Sequence, residues 1–331
     1  MTEQPYTPSA GRYEGGMTYR RCGRSGVLLP SVSLGLWQNF GADRPYSRSR
    51  DMILHAFDRG IVSFDLANNY GVPYGSAEET FGRVMKSALH PYRDELFIAT
   101  KAGYDMWPGP YGNWGSRKYL TASLDQSLRR MNLDYVDLFY SHRYDPSTPL
   151  EETLQALVDI VRRGKALYVG ISRWPLEAMR TAVEYLRSHD TPCLAFQDRL
   201  NLLDRAPEKS GMTSFLEDEG VGLTVFSPLA QGLLTSRYLD GIPADSRIRA
   251  GSHLDESALT PELMRRIVRL NEVAAARGES LARMAVAWVL ARRDVSSVIV
   301  GCSSTEQLDD TLMAVGSMPF TAAELELIDS I

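Results

Sequence analysis

The chain has 331 residues, 44% of them hydrophobic, and a formal net charge of −5. This length and apolar content suffice for one large hydrophobic core or two modest ones. The negative net charge and the lack of a dense Lys/Arg block argue against nucleic acid and anionic membrane surfaces as partners. No apolar stretch approaches the roughly 20 residues that span a bilayer.

The N-terminal residues and the cysteines are typical of a cytoplasmic protein. Residues 1–16 are polar, rich in Gly and Pro, and lack the apolar segment of a secretory signal. We expect them to form a flexible arm before a single domain that spans residues 17–331. The three cysteines, Cys22, Cys193 and Cys302, are isolated and lack metal-ligand spacing, which suits a reducing compartment and predicts no metal site.

Short β-rich runs alternate with longer segments of helical period about eight times along the chain. The predicted strands are residues 31–37, 61–66, 96–101, 136–142, 166–171, 193–197, 222–227 and 297–301. The predicted helices include 48–59, 76–89, 117–131, 149–163 and 175–188, and the second of them opens with the capping-box pattern Ser-Ala-Glu-Glu at Ser76. Strands that alternate with helices favour a parallel sheet, and eight units without a mid-chain linker favour an α/β fold closed into a (β/α)8 TIM barrel.

A doubly wound dinucleotide fold is the main alternative to this barrel. That fold needs G-x-G-x-x-G directly after a strand, and the chain contains no such run. Residues 23–26 (GRSG) are too short for it and predict a hairpin turn between 17–21 and 27–30, which would plug the bottom of the barrel. The long connections 103–116 and 230–259 would lie over the C-terminal mouth as walls or lids.

Four polar residues stand at or just beyond the ends of predicted strands. Asp65, Lys101 and His142 each lie at the end of an apolar run, and Tyr70 follows Asp65 by five positions. A lone residue of this kind is usually solvated or part of a structural ion pair. Because the C-terminal ends of barrel strands surround one mouth, we expect all four to meet there.

An acid, a cation, a phenol and an imidazole in one place can deliver a proton to a carbonyl. A free phenol has a pKa of about 10, and we expect the Lys101 ammonium to lower the pKa of Tyr70 while Asp65 keeps that lysine charged. Neutral His142 could donate a hydrogen bond to a substrate carbonyl. None of these groups supplies an electron pair to the carbonyl carbon, so a hydride-donating cofactor is implied.

The end of the last predicted strand offers a site for the anionic part of such a cofactor. Ser303 and Glu306 have capping-box spacing, which predicts a helix N-terminus with free backbone N–H groups. A plain capped helix explains the same spacing equally well. Arg237 and Arg247, in the preceding long connection, could bind a 2′-phosphate, although a solvated arginine is the default for each.

The motifs resemble those of the aldo-keto reductases along nearly the whole chain, from about residue 18 onward. Residues 64–71 (FDLANNYG), 99–101 (ATK) and 140–142 (YSH) are similar to the family segments that carry its Asp, Tyr, Lys and His. Residues 170–172 (GIS) and 226–232 (FSPLAQG) are similar to its cofactor-binding strands. The resemblance implies a barrel that reduces aldehydes or ketones with NADPH and uses Tyr70 as the proton donor.

The resemblance extends to one branch, which contains voltage-gated potassium channel β subunits and bacterial L-glyceraldehyde 3-phosphate reductases. Residues 101–112, 228–234 and 241–247 are especially similar to the latter. Matching positions place Trp37, Ser172, Arg173, Gln197 and Phe226 at the nicotinamide. They place Ser227, Leu229 and Arg237 at the diphosphate, and Arg247, Ser303 and Gln307 at the adenosine 2′-phosphate. The implied cofactor site is completed by Pro228, Gln231, Gly301 and Asp310.

The chain departs from the branch pattern at several positions. Phe226 replaces the Trp of channel β subunits and keeps a stacking face, whereas Asp310 and Thr311 replace a Glu-Asn pair near the adenine. Residues 197–201 (QDRLN) depart from the more usual Gln-Pro-x-Tyr-Asn. NADPH remains the implied cofactor, with NADH the less favoured one.

Two functions are compatible with these motifs. The favoured one is NADPH-dependent reduction of small aldehydes, such as L-glyceraldehyde 3-phosphate or methylglyoxal. The alternative is a cofactor-binding regulatory subunit that resembles the channel β proteins and has slow or vestigial chemistry. His142 favours the reductase, because the channel-associated members carry Asn at the matching position. The branch also implies a homo-oligomer, a tetramer or larger.

Overall fold

The computed structural model describes residues 6–239 and 259–331. Eight parallel strands form a closed barrel, as predicted. A separate antiparallel pair, β1 (Tyr19–Arg21) and β2 (Leu28–Pro30), precedes them. The barrel strands are β3 (Val32–Gly35), β4 (Ser63–Asp65), β5 (Phe97–Ala102), β6 (Val136–Ser141), β7 (Ala166–Ser172), β8 (Cys193–Arg199), β9 (Gly222–Phe226) and β10 (Val295–Val300). Pairing between β10 and β3 closes the ring, so the predicted TIM barrel is confirmed.

Helices surround the barrel in the order that the alternation predicts. They are α1 (Tyr46–Asp58), α2 (Ser76–Val84), α3 (Arg117–Met131), α4 (Leu150–Arg162), α5 (Leu176–Ser188), α6 (Ala206–Lys209), α7 (Met212–Glu219), α8 (Pro261–Ala276), α9 (Leu281–Leu290), α10 (Thr305–Leu312) and α11 (Ala322–Asp329). None of the helices in the described ranges is long and apolar enough to cross a membrane.

Helix α3 illustrates how the sequence sets these elements. Ser116 caps its first turn, since the serine side chain accepts a hydrogen bond from the backbone N–H of Tyr119. Leu120, Leu124 and Leu128 recur every four residues and form the buried stripe that packs on the barrel. Asn132, in the left-handed conformation with φ of 55°, ends the helix.

The β1–β2 hairpin closes the N-terminal end of the barrel, as predicted. Cys22 and Leu29 are buried in one apolar cluster with the barrel residues Leu138 and Leu194. The turn requires glycine at position 23, because its φ is +55° and a Cβ atom there would lie 2.2 Å from the carbonyl oxygen of Gly220.

The described part of the N-terminal arm contacts the helical layer around the barrel. The Tyr6 hydroxyl donates to Asp58 at 2.8 Å, and the Ser9 backbone N–H donates to the same carboxylate at 2.6 Å. Arg12 forms an ion pair with Glu95 at 2.6 Å. The arm therefore has carboxylate partners on the domain that its composition did not reveal. The division into an arm and one domain, residues 17–331, stays a prediction.

Two local predictions around α2 are wrong. Ser76 does not cap the helix: Gly75 precedes it in the left-handed conformation, and the Ser76 hydroxyl donates to the carbonyl of Pro73 at 2.6 Å. The predicted helix 76–89 is α-helical only to Val84, and Met85–Leu89 forms a π-helical turn. Most of the second long connection, residues 240–258, lies outside the described residues.

Candidate active site

The structure brings the four predicted polar residues together at the C-terminal mouth of the barrel. The Lys101 ammonium donates hydrogen bonds to Asp65 Oδ2 at 2.6 Å, to the Leu66 carbonyl at 2.7 Å and to the Tyr70 hydroxyl at 3.2 Å. The His142 ring stands edge-on to the Tyr70 ring, with 5.9 Å between their centroids. An acid, a cation, a phenol and an imidazole therefore share one pocket.

Strand order accounts for this convergence. β4, β5 and β6 are neighbours in the barrel, with Asp65 paired to Ala99 and Lys101 paired to Tyr140. Because the strands are parallel, their C-terminal residues lie at the same end of the barrel. Tyr70 lies on the turn after β4, where its carbonyl accepts from the backbone N–H of Ala77 at 3.2 Å.

The pocket is largely removed from water. Lys101 is 0% exposed and Asp65 is 5% exposed. Burial lowers the pKa of Lys101, and the Asp65 carboxylate opposes this shift. A buried ion pair of this kind needs both partners, since either charge alone would be costly in the interior.

The predicted lowering of the Tyr70 pKa is wrong. Burial raises the pKa of Tyr70 well above its ordinary value, and the charge of Asp65 adds to the effect. The sequence indicated the lysine but not the desolvation of the phenol, nor that Asp65 offsets the lysine charge at the same point. Tyr70 is consequently protonated at neutral pH and retains a proton to donate.

The pKa of His142 shifts in the opposite direction to that of Tyr70, because both burial and neighbouring cations favour the neutral imidazole. Burial lowers the pKa of His142 well below its ordinary value, and the charges of Lys101, Arg173 and Arg143 lower it further. The imidazole is therefore neutral at neutral pH, as the sequence suggested. Its Nδ1 atom is buried and has no hydrogen-bond partner within the described ranges.

The residues expected at a nicotinamide line the same mouth. Gln197 donates from Nε2 to Asp65 Oδ1 at 2.9 Å, and it pairs with Ser172 across β7 and β8. The Ser172 hydroxyl is buried without a partner among the described residues. Arg173 is exposed and has a left-handed backbone, with φ of 57°. The Trp37 ring, partly exposed, lies 6.5 Å from the Tyr70 ring.

Several residues in the segment after β9 have left-handed backbone conformations. Phe226 is half-buried and pairs with Ile299 of β10. Ser227 and Gln231 have φ of 55° and 60°, in the left-handed region that non-glycine residues rarely occupy. Such conformations cluster at ligand sites, where surrounding structure enforces them. The remaining predicted members of this segment, Pro228 and Leu229, are buried and half-buried respectively.

The Gln231 side chain adds a third buried polar atom to His142 Nδ1 and the Ser172 hydroxyl. Its Oε1 atom is buried and lacks a hydrogen-bond partner within the ranges that the structure describes. Arg237 follows on an exposed 3-10 turn, where its backbone N–H donates to Thr235. Arg247, predicted at the adenosine end, lies outside the described residues.

The helix N-terminus predicted after β10 is present as the start of α10, with a shifted cap. Ser304, rather than Ser303, caps the helix by accepting from the backbone N–H of Gln307. Ser303 instead donates through its backbone N–H and its hydroxyl to Gln307 Oε1, at 2.9 and 2.8 Å. Gly301 and Asp310 are exposed beside them. Since β9 and β10 are adjacent, this end lies next to the Phe226 segment.

The sequence analysis did not name Arg143 as a site residue, and it included Tyr104 and Trp114 only as part of the long connection 103–116 over the mouth. Tyr104 stands edge-on to His142 at 4.7 Å, and the Arg143 guanidinium lies 4.4 Å from the Tyr104 ring and 3.6 Å from the Trp114 ring. Arg143 directly follows His142, and both aromatics belong to the long connection 103–116. The position of Arg143 next to His142, and of both aromatics in this connection, was the sequence signal that could have identified them.

Comparison with known proteins identifies the family. The model of the Aldo/keto reductase family matches residues 31–331. The chain is 53% identical over 319 residues to L-glyceraldehyde 3-phosphate reductase of Escherichia coli (strain K12), covering 95% of this chain and 92% of that protein. It is 33% identical over 315 residues to a probable voltage-gated potassium channel subunit beta of Oryza sativa subsp. japonica, covering 93% and 94% respectively. This protein is an oxidoreductase and belongs to the aldo/keto reductase family.

Proposed function

We propose that the protein reduces short aldehydes, among them L-glyceraldehyde 3-phosphate and methylglyoxal, with NADPH. The observation that carries the proposal is the Lys101 ammonium held between Asp65 and the Tyr70 hydroxyl beside a neutral His142. The 53% identical relative named L-glyceraldehyde 3-phosphate reductase supports the choice of substrate. Methylglyoxal is proposed as a second short aldehyde that the same chemistry could reduce.

The polar atoms of the mouth fit a nicotinamide cofactor. The Ser172 hydroxyl and Gln231 Oε1 are buried without partners in the described part of the chain, and buried polar atoms normally have them. In our proposal Trp37, Ser172, Arg173, Gln197 and Phe226 hold the nicotinamide end. Ser227, Pro228, Leu229, Gln231 and Arg237 hold the diphosphate, and Arg247, Gly301, Ser303, Gln307 and Asp310 hold the adenosine end. When bound, the cofactor supplies the hydride.

The chain's own groups manage the proton. Tyr70 donates its hydroxyl proton to the carbonyl oxygen, and the Lys101 ammonium stabilises the phenolate that remains. Asp65 fixes the position of that ammonium through the 2.6 Å ion pair. The neutral imidazole of His142 donates a hydrogen bond that orients the carbonyl.

The experiment follows NADPH consumption with a panel of short aldehydes in the wild type and in Tyr70→Phe. We expect turnover to collapse in the variant while NADPH binding, measured by fluorescence titration, persists. Unchanged turnover would remove Tyr70 from the mechanism. The same titration with NADH tests the preference for NADPH, which rests on the family resemblance.

The regulatory-subunit alternative has less support. The plant channel β relatives are 32% and 33% identical, against 53% for the reductase. His142 also supplies the imidazole that the reductase chemistry uses. We further propose a cytoplasmic location, consistent with three buried free cysteines, and a tetramer or larger assembly, which light scattering would test.

A further inference from the structure

Arg143 is a rigidly held cation at the mouth. It follows β6 directly after His142, and its guanidinium donates from Nε to the Gly103 carbonyl and from Nη2 to Asn113 Oδ1, both at 2.6 Å. The faces of Trp114 and Tyr104 lie 3.6 and 4.4 Å from it. Two hydrogen bonds and two aromatic contacts leave this side chain little freedom to lose when it binds a ligand.

The charge of Arg143 lacks a direct counter-charge. Among residues 6–239 and 259–331, no carboxylate oxygen forms an ion pair with this guanidinium, and both of its hydrogen-bond acceptors are neutral. Other partly buried arginines differ: Arg93 and Arg130 pair with Asp137 and Glu78 at 2.9 and 2.8 Å.

Arg20, another partly buried arginine, also lacks a carboxylate but has a different compensation. It donates to the carbonyl oxygens of Leu290 and Arg292 at the C-terminal end of α9, where the helix dipole is negative. Within the described ranges, neither acceptor of Arg143, the Gly103 carbonyl or Asn113 Oδ1, lies at the C-terminal end of a helix. Its charge therefore remains available to an anion that enters the mouth.

Arg143 is also close to the reacting groups. The Tyr104 ring centroid is 4.7 Å from the His142 ring centroid and 4.4 Å from the Arg143 guanidinium carbon. Because both distances end at the same point, the imidazole and the guanidinium carbon lie within about 9 Å of each other. A chain of three or four carbons can bridge such a separation. Within the described ranges Arg143 Nη1 makes no hydrogen bond, and the side chain is partly exposed.

We propose that Arg143 binds the anionic end of the substrate and makes the enzyme select short aldehydes that carry a phosphate or carboxylate over neutral ones. This inference rests on the aldehyde reduction proposed above and adds a determinant of specificity to it. A guanidinium forms strong charge-assisted hydrogen bonds with both kinds of oxyanion. Arg143 is thus a specificity residue, and Tyr70 and His142 act on the carbonyl.

The test compares kcat/KM for glyceraldehyde 3-phosphate, succinate semialdehyde, glyceraldehyde and methylglyoxal in the wild type and in Arg143→Gln. We expect the ratio of anionic to neutral substrate to fall by roughly 10- to 100-fold, which is the usual range for one lost hydrogen bond to a charged group. Arg143→Lys should retain part of the ratio, since it keeps the positive charge but loses the planar guanidinium that can donate two parallel hydrogen bonds to one oxyanion. Exposed Arg162 of α4 provides the control, and Arg162→Gln should leave the ratio as in the wild type.

The two anionic substrates identify the ligand chemistry. A loss with glyceraldehyde 3-phosphate alone indicates a phosphate site, and a loss with succinate semialdehyde alone indicates a carboxylate site. Added inorganic phosphate gives a measurement that needs no variant: it should compete with glyceraldehyde 3-phosphate in the wild type. A wild type without preference for anionic aldehydes, or an unchanged ratio in Arg143→Gln, overturns this inference alone. Absence of turnover with all four aldehydes overturns the proposed function as well.

Discussion

Gln197 donates a hydrogen bond from Nε2 to Oδ1 of Asp65 at 2.9 Å across the mouth of the barrel. β8 and β4, which carry these residues, stand opposite each other in the eight-stranded ring. Asp65 therefore uses Oδ1 for the glutamine and Oδ2 for Lys101. A residue proposed to hold the nicotinamide thus also fixes the carboxylate that pairs with Lys101, the lysine proposed to act in catalysis.

Replacement of this glutamine should affect stability as well as activity. In Gln197→Leu, the buried Oδ1 atom of Asp65 loses its hydrogen bond, at a cost of about 1–3 kcal/mol in the free energy of unfolding. Urea denaturation without cofactor measures this cost apart from any effect on binding. A variant as stable as the wild type would show that Oδ1 finds another partner.

Removal of the buried lysine charge should be more costly. Lys101→Met leaves the Asp65 carboxylate buried and uncompensated, which is expected to lower the free energy of unfolding by about 3–5 kcal/mol. The double variant Asp65→Asn/Lys101→Met should recover part of that loss, because it removes both charges. Denaturant titrations of the three proteins check the pattern, and a double variant less stable than Lys101→Met would contradict it.

A second buried ion pair lies behind the site, on the outer side of β5. Glu78 of α2 is 0% exposed and accepts from Thr100 at 2.5 Å and from Arg130 of α3 at 2.8 Å. Glu78→Gln leaves Arg130 without its carboxylate, so we expect a loss of about 3 kcal/mol in the free energy of unfolding. The exposed neighbour Glu79 is the matched control, and Glu79→Gln should change stability by less than about 0.5 kcal/mol. Equal effects of the two substitutions would refute the role of the pair.

His142 should make stability dependent on pH. Its pKa is lowered in the folded protein by burial and by nearby cations, so the unfolded chain takes up a proton first as the pH falls below about 6.5. The free energy of unfolding should therefore decrease from about pH 7 downward, by at most about 1.4 kcal/mol per pH unit from this residue.

Two substitutions isolate that contribution. His142→Asn should flatten the decrease in stability between about pH 7 and pH 5.5, because the titrating imidazole is gone. His90→Asn, at an exposed histidine, should follow the wild-type curve. Thermal denaturation at several pH values provides the measurement. Parallel curves for the wild type and His142→Asn would mean that His142 does not cause the decrease.

The sequence predicted the barrel well, because strands buried on both faces are apolar runs that stand out from amphipathic helices. Predicted strand 166–171 corresponds to observed Ala166–Ser172, for example. The π-helical turn Met85–Leu89 escaped prediction because its apolar residues continue the helical pattern of α2. At α10, two adjacent serines could each cap the helix, and spacing alone favoured the wrong one.

Within the site, the sequence predicted which groups meet but not their environment. The convergence of Asp65, Lys101 and His142 follows from strand order alone. The pKa of Tyr70 depends on desolvation, which residue spacing does not reveal. The role proposed for Arg143 likewise depends on Asn113, which lies 30 positions earlier in the chain and accepts a hydrogen bond from the guanidinium.

The β1–β2 hairpin closes the N-terminal end of the barrel within the described part of the chain. Since Cys22 and Leu29 pack among apolar residues at that end, we expect a molecule that reaches Lys101 to enter and leave through the C-terminal mouth. Under the proposed function the aldehyde and the alcohol would share this route, so slow release of the product would delay the next turnover. The rate of turnover would then depend on how quickly the product leaves the mouth as well as on the chemical step.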